Sequence, residues 1–121
     1  MSVDSAVRSA VLSRSGGRCE WCGAELCGEQ GWAWSLSHRR PKGMGGSRRL
    51  DTDGAANLLV LCGSGTTGCH GWVESQRTQA LVAGLLLHST EDPAAEPLLL
   101  RQDRWVYLTP EGGYRDEEDA A

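Results

Sequence analysis

Four cysteines in this 121-residue chain are spaced to hold one metal ion. Cys19-Glu20-Trp21-Cys22 is a Cys-x-x-Cys turn that brings two thiols within reach of one cation. Cys62 and Cys69 follow some forty residues later and can complete a tetrahedral zinc set. The second pair is wider than a two-residue knuckle, but residues 63–68, Gly-Ser-Gly-Thr-Thr-Gly, supply a loop flexible enough to fold back between the sulfurs. A disulfide framework and unrelated buried thiols are the competing readings. Residues 1–10 lack the basic start and apolar run of a secretory leader, so the expected location is a reducing cytoplasm, which favours metal over disulfides. Cys27, the odd cysteine, could in principle replace a ligand; a free, dispensable thiol is the simpler expectation.

Further chemistry-bearing residues are threaded between these cysteines. His38 opens a basic stretch that ends in the pair Gly45-Gly46, Asn57 precedes an apolar run, and Leu61-Cys62 leads to Cys69-His70. In this order they resemble the HNH endonuclease family, within it the small zinc-containing HNH proteins of bacteriophages, especially those of actinobacteria, and of their hosts. The resemblance covers residues 6–84 and is most specific over 39–46 and 62–73. It implies a metal-dependent DNA endonuclease that hydrolyses phosphodiester bonds, by nicking or double-strand cleavage, leaving 5′-phosphate and 3′-hydroxyl ends. It also suggests work alongside phage terminase in genome packaging, in the host cytoplasm. His38 takes the position of the general base, and the ordinary imidazole pKa of about 6.5 suits that role near neutral pH. Asn57 takes the position that fastens the loop carrying the base. His70 takes that of the ligand for a catalytic Mg²⁺ or other divalent cation, separate from the zinc. As the residue after a zinc cysteine, His70 could alternatively replace a thiol in the zinc set. Glu74, one helical turn on, could add a carboxylate oxygen to the catalytic metal or stand free in solvent. Ser37 marks a departure: many family members carry Asp, Glu or His there as a metal ligand. A neutral hydroxyl is a poorer ligand for a hard cation, so metal affinity falls unless Glu74 or water compensates.

The formal charge of −4 argues against a nucleic-acid partner until it is mapped. Residues 1–90 hold nine basic and seven acidic side chains, whereas residues 91–121 hold three and nine. Arg39, Arg40, Lys42, Arg48 and Arg49 share one acid-free stretch beside His38, where they could contact DNA phosphates; a solvated loop is the alternative. Two other functions stay open. One is a homing or restriction-type HNH nuclease, which commonly carries an added recognition domain. The other is a catalytically inactive zinc-stabilised DNA-binding module, kept in view by Ser37.

The elements that must position these groups follow from pattern. Val3, Ala6, Val7, Ala10 and Val11 recur at helical spacing before Gly16-Gly17, so a first helix leads into the Cys19 turn. Trp32, Trp34, Leu36 and His38 alternate as one face of a strand, with His38 at its end, and residues 58–61 form a second strand ending at Cys62. Residues 70–82 contain no breaker and set His70, Glu74, Arg77 and Leu81 on one helical face. The fold class is α+β, and the strand–strand–helix order agrees with the ββα-metal core that the family resemblance implies. Residues 1–90 are expected to form the nuclease domain. Residues 91–121 are expected to form a short β appendage and an acidic, disordered tail from residue 115. Short strands are predicted at 85–88, 98–100 and 104–108, with a turn at 110–113. Trp21, Trp32, Trp34 and Trp72 are expected to pack around the metal and the strand, base stacking being the alternative. His88 reads as a core-edge or surface histidine. The apolar run at 81–87 is too short to span a bilayer.

Overall fold

Asp4 and Gly16 bracket the first helix, α1 (Ser5–Ser15): the Asp4 carboxylate accepts the Ala6 N–H at 2.7 Å, and Gly16 closes the helix in the left-handed conformation at φ 66°. The computed structural model describes residues 3–41 and 51–116. Lys42, Arg48 and Arg49 therefore lie outside the described residues.

Strands β1 (Trp34–His38) and β2 (Leu58–Cys62) pair antiparallel, with Trp34 opposite Cys62 and His38 opposite Leu58. This register puts the predicted base at one end of the hairpin-like pair and a cysteine at the other. Helix α2 (Gly68–Ser75) packs on both strands. The single helix expected over 70–82 is instead two, because Gln76 leaves helical geometry at ψ 57° and α3 (Arg77–Val82) starts after it. No Pro or Gly marks that break in the sequence, so only packing could reveal it.

A second antiparallel sheet contains β3 (Leu98–Leu100), β4 (Arg104–Leu108) and β5 (Tyr114–Asp116) in that order. The predicted strand at 85–88 is absent: Leu85, Leu86 and Leu87 are buried as irregular chain. Arg115 and Asp116, expected in a disordered tail, are strand residues facing Tyr107 and Val106. Leu98, Leu100, Val106 and Leu108 share one apolar cluster with Cys19, Leu59, Leu61 and Val73, so the second sheet packs into the core that carries the cysteines. Among the described residues no helix is long and apolar enough to cross a membrane.

Two buried charged side chains join these layers. Glu20, fully buried between Cys19 and Cys22, accepts two bonds from Arg14 on α1 at 2.9 Å, the Val60 N–H at 2.8 Å and the Tyr114 hydroxyl at 2.6 Å. Arg39 is 0% exposed, and its five N–H donors meet the carbonyls of Ala56, Gly84, Pro93, Glu96 and Pro97. Burial lowers its pKa to about 10, which leaves it a cation at neutral pH. Arg40 is 4% exposed and donates to the Asp51 carboxylate and the Glu91 carbonyl. The guanidiniums of Arg39 and Arg40, expected at DNA phosphates, donate here to the protein itself, Arg39 to carbonyls that would otherwise be buried without a donor and Arg40 chiefly to the Asp51 carboxylate. Removing the Arg39 head group would orphan those carbonyls. Arg39→Ala should lose roughly 3–5 kcal/mol of unfolding free energy in a urea titration. Wild-type stability in that variant would return Arg39 to the surface role.

Candidate metal centre and histidine cleft

The Cys19 turn is shaped by short backbone bonds: the Cys19 N–H reaches the Ala24 carbonyl at 2.9 Å, and the N–H groups of Trp21 and Cys22 each donate to the Cys19 sulfur at 3.4 Å. Across from it, the 63–68 loop folds back as its composition predicts. Ser64 and Thr67 close a turn on each other at 3.1 and 3.2 Å, and the Cys69 N–H donates to the Cys62 sulfur at 3.4 Å. Gly63 has no substitute here, since its φ is 84° and a Cβ would stand 2.1 Å from the Thr67 carbonyl oxygen.

These two turns bring the sulfurs of Cys19, Cys22, Cys62 and Cys69 within 4.8 Å of one another, a cluster that could hold a metal ion such as zinc. All are free thiols, and the Cys22 and Cys62 sulfurs are 3.8 Å apart. Tetrahedral zinc with Zn–S bonds of about 2.3 Å has sulfur–sulfur edges of about 3.8 Å, against about 2.05 Å in a disulfide. The electrostatics point the same way. Burial raises the Cys19 pKa, but N–H donors from Cys22, Cys62 and Trp21 outweigh it and pull the thiol below its ordinary value. Burial, then the charge on Cys19, push Cys69 far up, and burial also raises Cys22. A metal ion held by the four sulfurs would supply the positive charge that lets such neighbours ionise together. Trp21 and Trp72 stack beside the cluster with ring centroids 5.5 Å apart, as expected of them. Trp34 packs in the second apolar cluster, whereas Trp32 is 68% exposed and takes no part in either. Cys27 is exposed and outside the set, as its odd place in the count suggests.

A cleft of about 290 Å³ lies next to this centre, lined by Ser37, His38, His70, Glu74 and Arg77 with Leu36, Pro41 and Leu86. Four of the residues singled out in the sequence therefore share one space. His38 Nε2 donates to Asp53 Oδ1 at 2.7 Å. Because a carboxylate only accepts, Nε2 carries the proton in the neutral ring and Nδ1 keeps the lone pair. Asn57, fully buried, accepts the Arg40 N–H at 2.7 Å and donates to the Arg40 and Thr52 carbonyls at 3.1 and 2.8 Å. It thus clamps the chain just after His38 to the segment carrying Asp53. His70 bonds Ser35 Oγ through Nδ1 at 2.6 Å; burial lowers its pKa, with Glu74 opposing and His38 adding to the shift. Glu74 also meets Arg77 at 3.5 Å across half-exposed side chains.

Among the described residues, the cysteines are the group of metal-ligating side chains whose ligand atoms converge; His70 and Glu74 face one cleft without forming a comparable cluster, and His70 stands outside the sulfur set. The sequence pattern assigns no role to Asp53, Ser35 or Arg77. Arg77 shares the His70 face in that pattern, a signal that could have nominated it as the cation beside the cleft. Asp53 could have been suspected only from knowing that the segment after the loop returns to β1.

No protein-family model, curated protein or solved structure matches the chain. Fold and site together define a small α+β protein with a four-cysteine cluster that could bind a metal such as zinc. Purified protein should contain one zinc per chain by atomic absorption. A thiol reagent should react rapidly with Cys27 alone until a strong chelator is added, after which four more thiols react and the near-ultraviolet Trp signal collapses. Rapid reaction of all five before chelation would contradict the metal centre.

Proposed function

We propose that the protein is a zinc-stabilised, metal-dependent HNH endonuclease with a ββα-metal core, acting on DNA. The observation that carries this reading is the shared cleft of His38, His70, Ser37 and Glu74, set against the cysteine cluster at the junction of β1, β2 and α2. In the reaction, His38 Nδ1 takes a proton from water as the water oxygen bonds to phosphorus. The bond from phosphorus to the 3′ oxygen breaks, the 3′ oxygen takes a proton from solvent water to become a hydroxyl, and the phosphate stays on the 5′ end. Asp53 orients the His38 ring and stabilises the imidazolium that forms, while the Asn57 clamp keeps the two in register. A Mg²⁺ or other divalent cation bound at His70, with Glu74 and Ser37 beside it, would neutralise charge on the scissile phosphate. The imidazole, carboxylate and hydroxyl donors suit such a cation, with water and phosphate oxygens completing its shell. Arg77 replaces Arg39 and Arg40 as the proposed phosphate contact. Terminase-assisted genome packaging is the biological setting the family resemblance suggests.

A second reading, an inactive zinc-stabilised DNA-binding module, is favoured by the hydroxyl of Ser37 where a stronger ligand would serve. Cleavage of supercoiled plasmid separates the two. Zinc-loaded wild type should nick in Mg²⁺, Mn²⁺ or Ni²⁺ and not in EDTA. His38→Ala should lose about 100-fold or more in rate with zinc content unchanged. Ser37→Asp should lower the Mn²⁺ concentration needed for half-maximal nicking. Folded, zinc-loaded wild type that cleaves under no metal would favour the binding module.

A further inference from the structure

We infer that Ser35 is a positioning residue that commits His70 to a single tautomer, protonated on Nδ1, and couples that choice to closure of the cysteine centre. Ser35 is buried in β1, opposite Leu61, and its Oγ has two polar neighbours. One is the Gly63 carbonyl oxygen at 2.9 Å; the other is His70 Nδ1 at 2.6 Å. A hydroxyl has one proton and a carbonyl only accepts, so the Ser35 proton goes to Gly63. Ser35 Oγ must then accept from His70, which fixes the proton on Nδ1 and leaves the lone pair on Nε2. The neighbouring His38 is set the opposite way by Asp53, with its proton on Nε2. Two histidines in one cleft thus present different nitrogens, one as proton acceptor and one as ligand.

The two ends of the Ser35 relay bracket the loop that closes the sulfur cluster: Gly63 opens it after Cys62, and His70 follows Cys69 in α2. Opening that loop removes the acceptor that takes the Ser35 proton, and with it the reason that Ser35 Oγ must accept from His70. The metal-ligand role given to Nε2 rests on the proposed nuclease reading; the tautomer does not.

The test is long-range ¹H–¹⁵N correlation of the histidine rings in the full, zinc-loaded chain. Wild-type His70 should show a protonated Nδ1 and an unprotonated Nε2. Ser35→Ala should shift the ring toward the Nε2–H form that free imidazole side chains favour, and Ser35→Thr, which keeps the hydroxyl, should restore the wild-type pattern. If Ser35→Ala does not fold, Ser35→Cys keeps the volume with a weaker hydrogen-bonding atom and serves the same comparison. In a Mn²⁺ titration, broadening of His70 should need about 10–100-fold more metal in Ser35→Ala. An Nε2–H ring in wild type, or an unmoved Nδ1–H ring in folded Ser35→Ala, would overturn the inference. Plasmid cleavage is scored separately. A wild type with the expected ring but no cleavage defeats the nuclease reading and upholds the Ser35 assignment.

Discussion

Sulfur crowding is the constraint on which the rest of this structure depends. The thiols of Cys19, Cys22, Cys62 and Cys69 lie within 4.8 Å of one another, so ionising one opposes ionising the next, and burial sharpens the conflict. A bound cation would reverse its sign, turning four unfavourable neighbours into a cross-link between the first turn, the end of β2 and the start of α2. Those are also the ends from which the histidine cleft is built. His70 sits one residue past a cysteine, and β2 runs from a cysteine back to the residue paired with His38.

Around that cross-link, two buried ions work in opposite ways. Glu20 is matched by a full counter-charge from Arg14 and by two further donors, a saturated ion pair at the centre of three chain segments. Arg39 has carbonyl dipoles instead of a carboxylate partner, so its charge is spread over five weaker acceptors. Either arrangement is costly if one member is removed, and each makes a particular packing the one in which all groups are satisfied. A chain with no Phe and a small apolar core thus gains specificity from polar interior contacts.

The elements legible in the sequence were those with a local signal. The capped α1, the alternation of β1, the apolar run of β2, the Cys-x-x-Cys turn and the Gly-rich loop each announce themselves through residue type and spacing. So did the strands at 98–100 and 104–108. What escaped was fixed by partners distant in sequence. The break at Gln76 and the irregular course of residues 85–87 answer to packing, and β5 exists because β4 offers it an edge. A basic run beside a histidine reads as a phosphate site, yet Arg39 is drawn inward by carbonyls as many as 58 residues away. The same applies to the site. His38, Asn57 and His70 stood out in the motif, whereas Asp53 and Ser35 matter through the atoms they face, which no local pattern records.

The residue adjoining the proposed base is guyed to the far end of the chain. Arg39 reaches the carbonyls of Pro93, Glu96 and Pro97, in the stretch leading into β3, while the Leu87 N–H returns a bond to the Arg39 carbonyl at 2.7 Å. The segment following the motif therefore packs onto the residue beside His38. In evolutionary terms, a fragment ending at residue 90 would carry every motif residue and none of the carbonyls at 93–97 to which Arg39 donates. Recombination that separates residue 39 from residues 93–97 would sever the support of the histidine while leaving every motif residue intact.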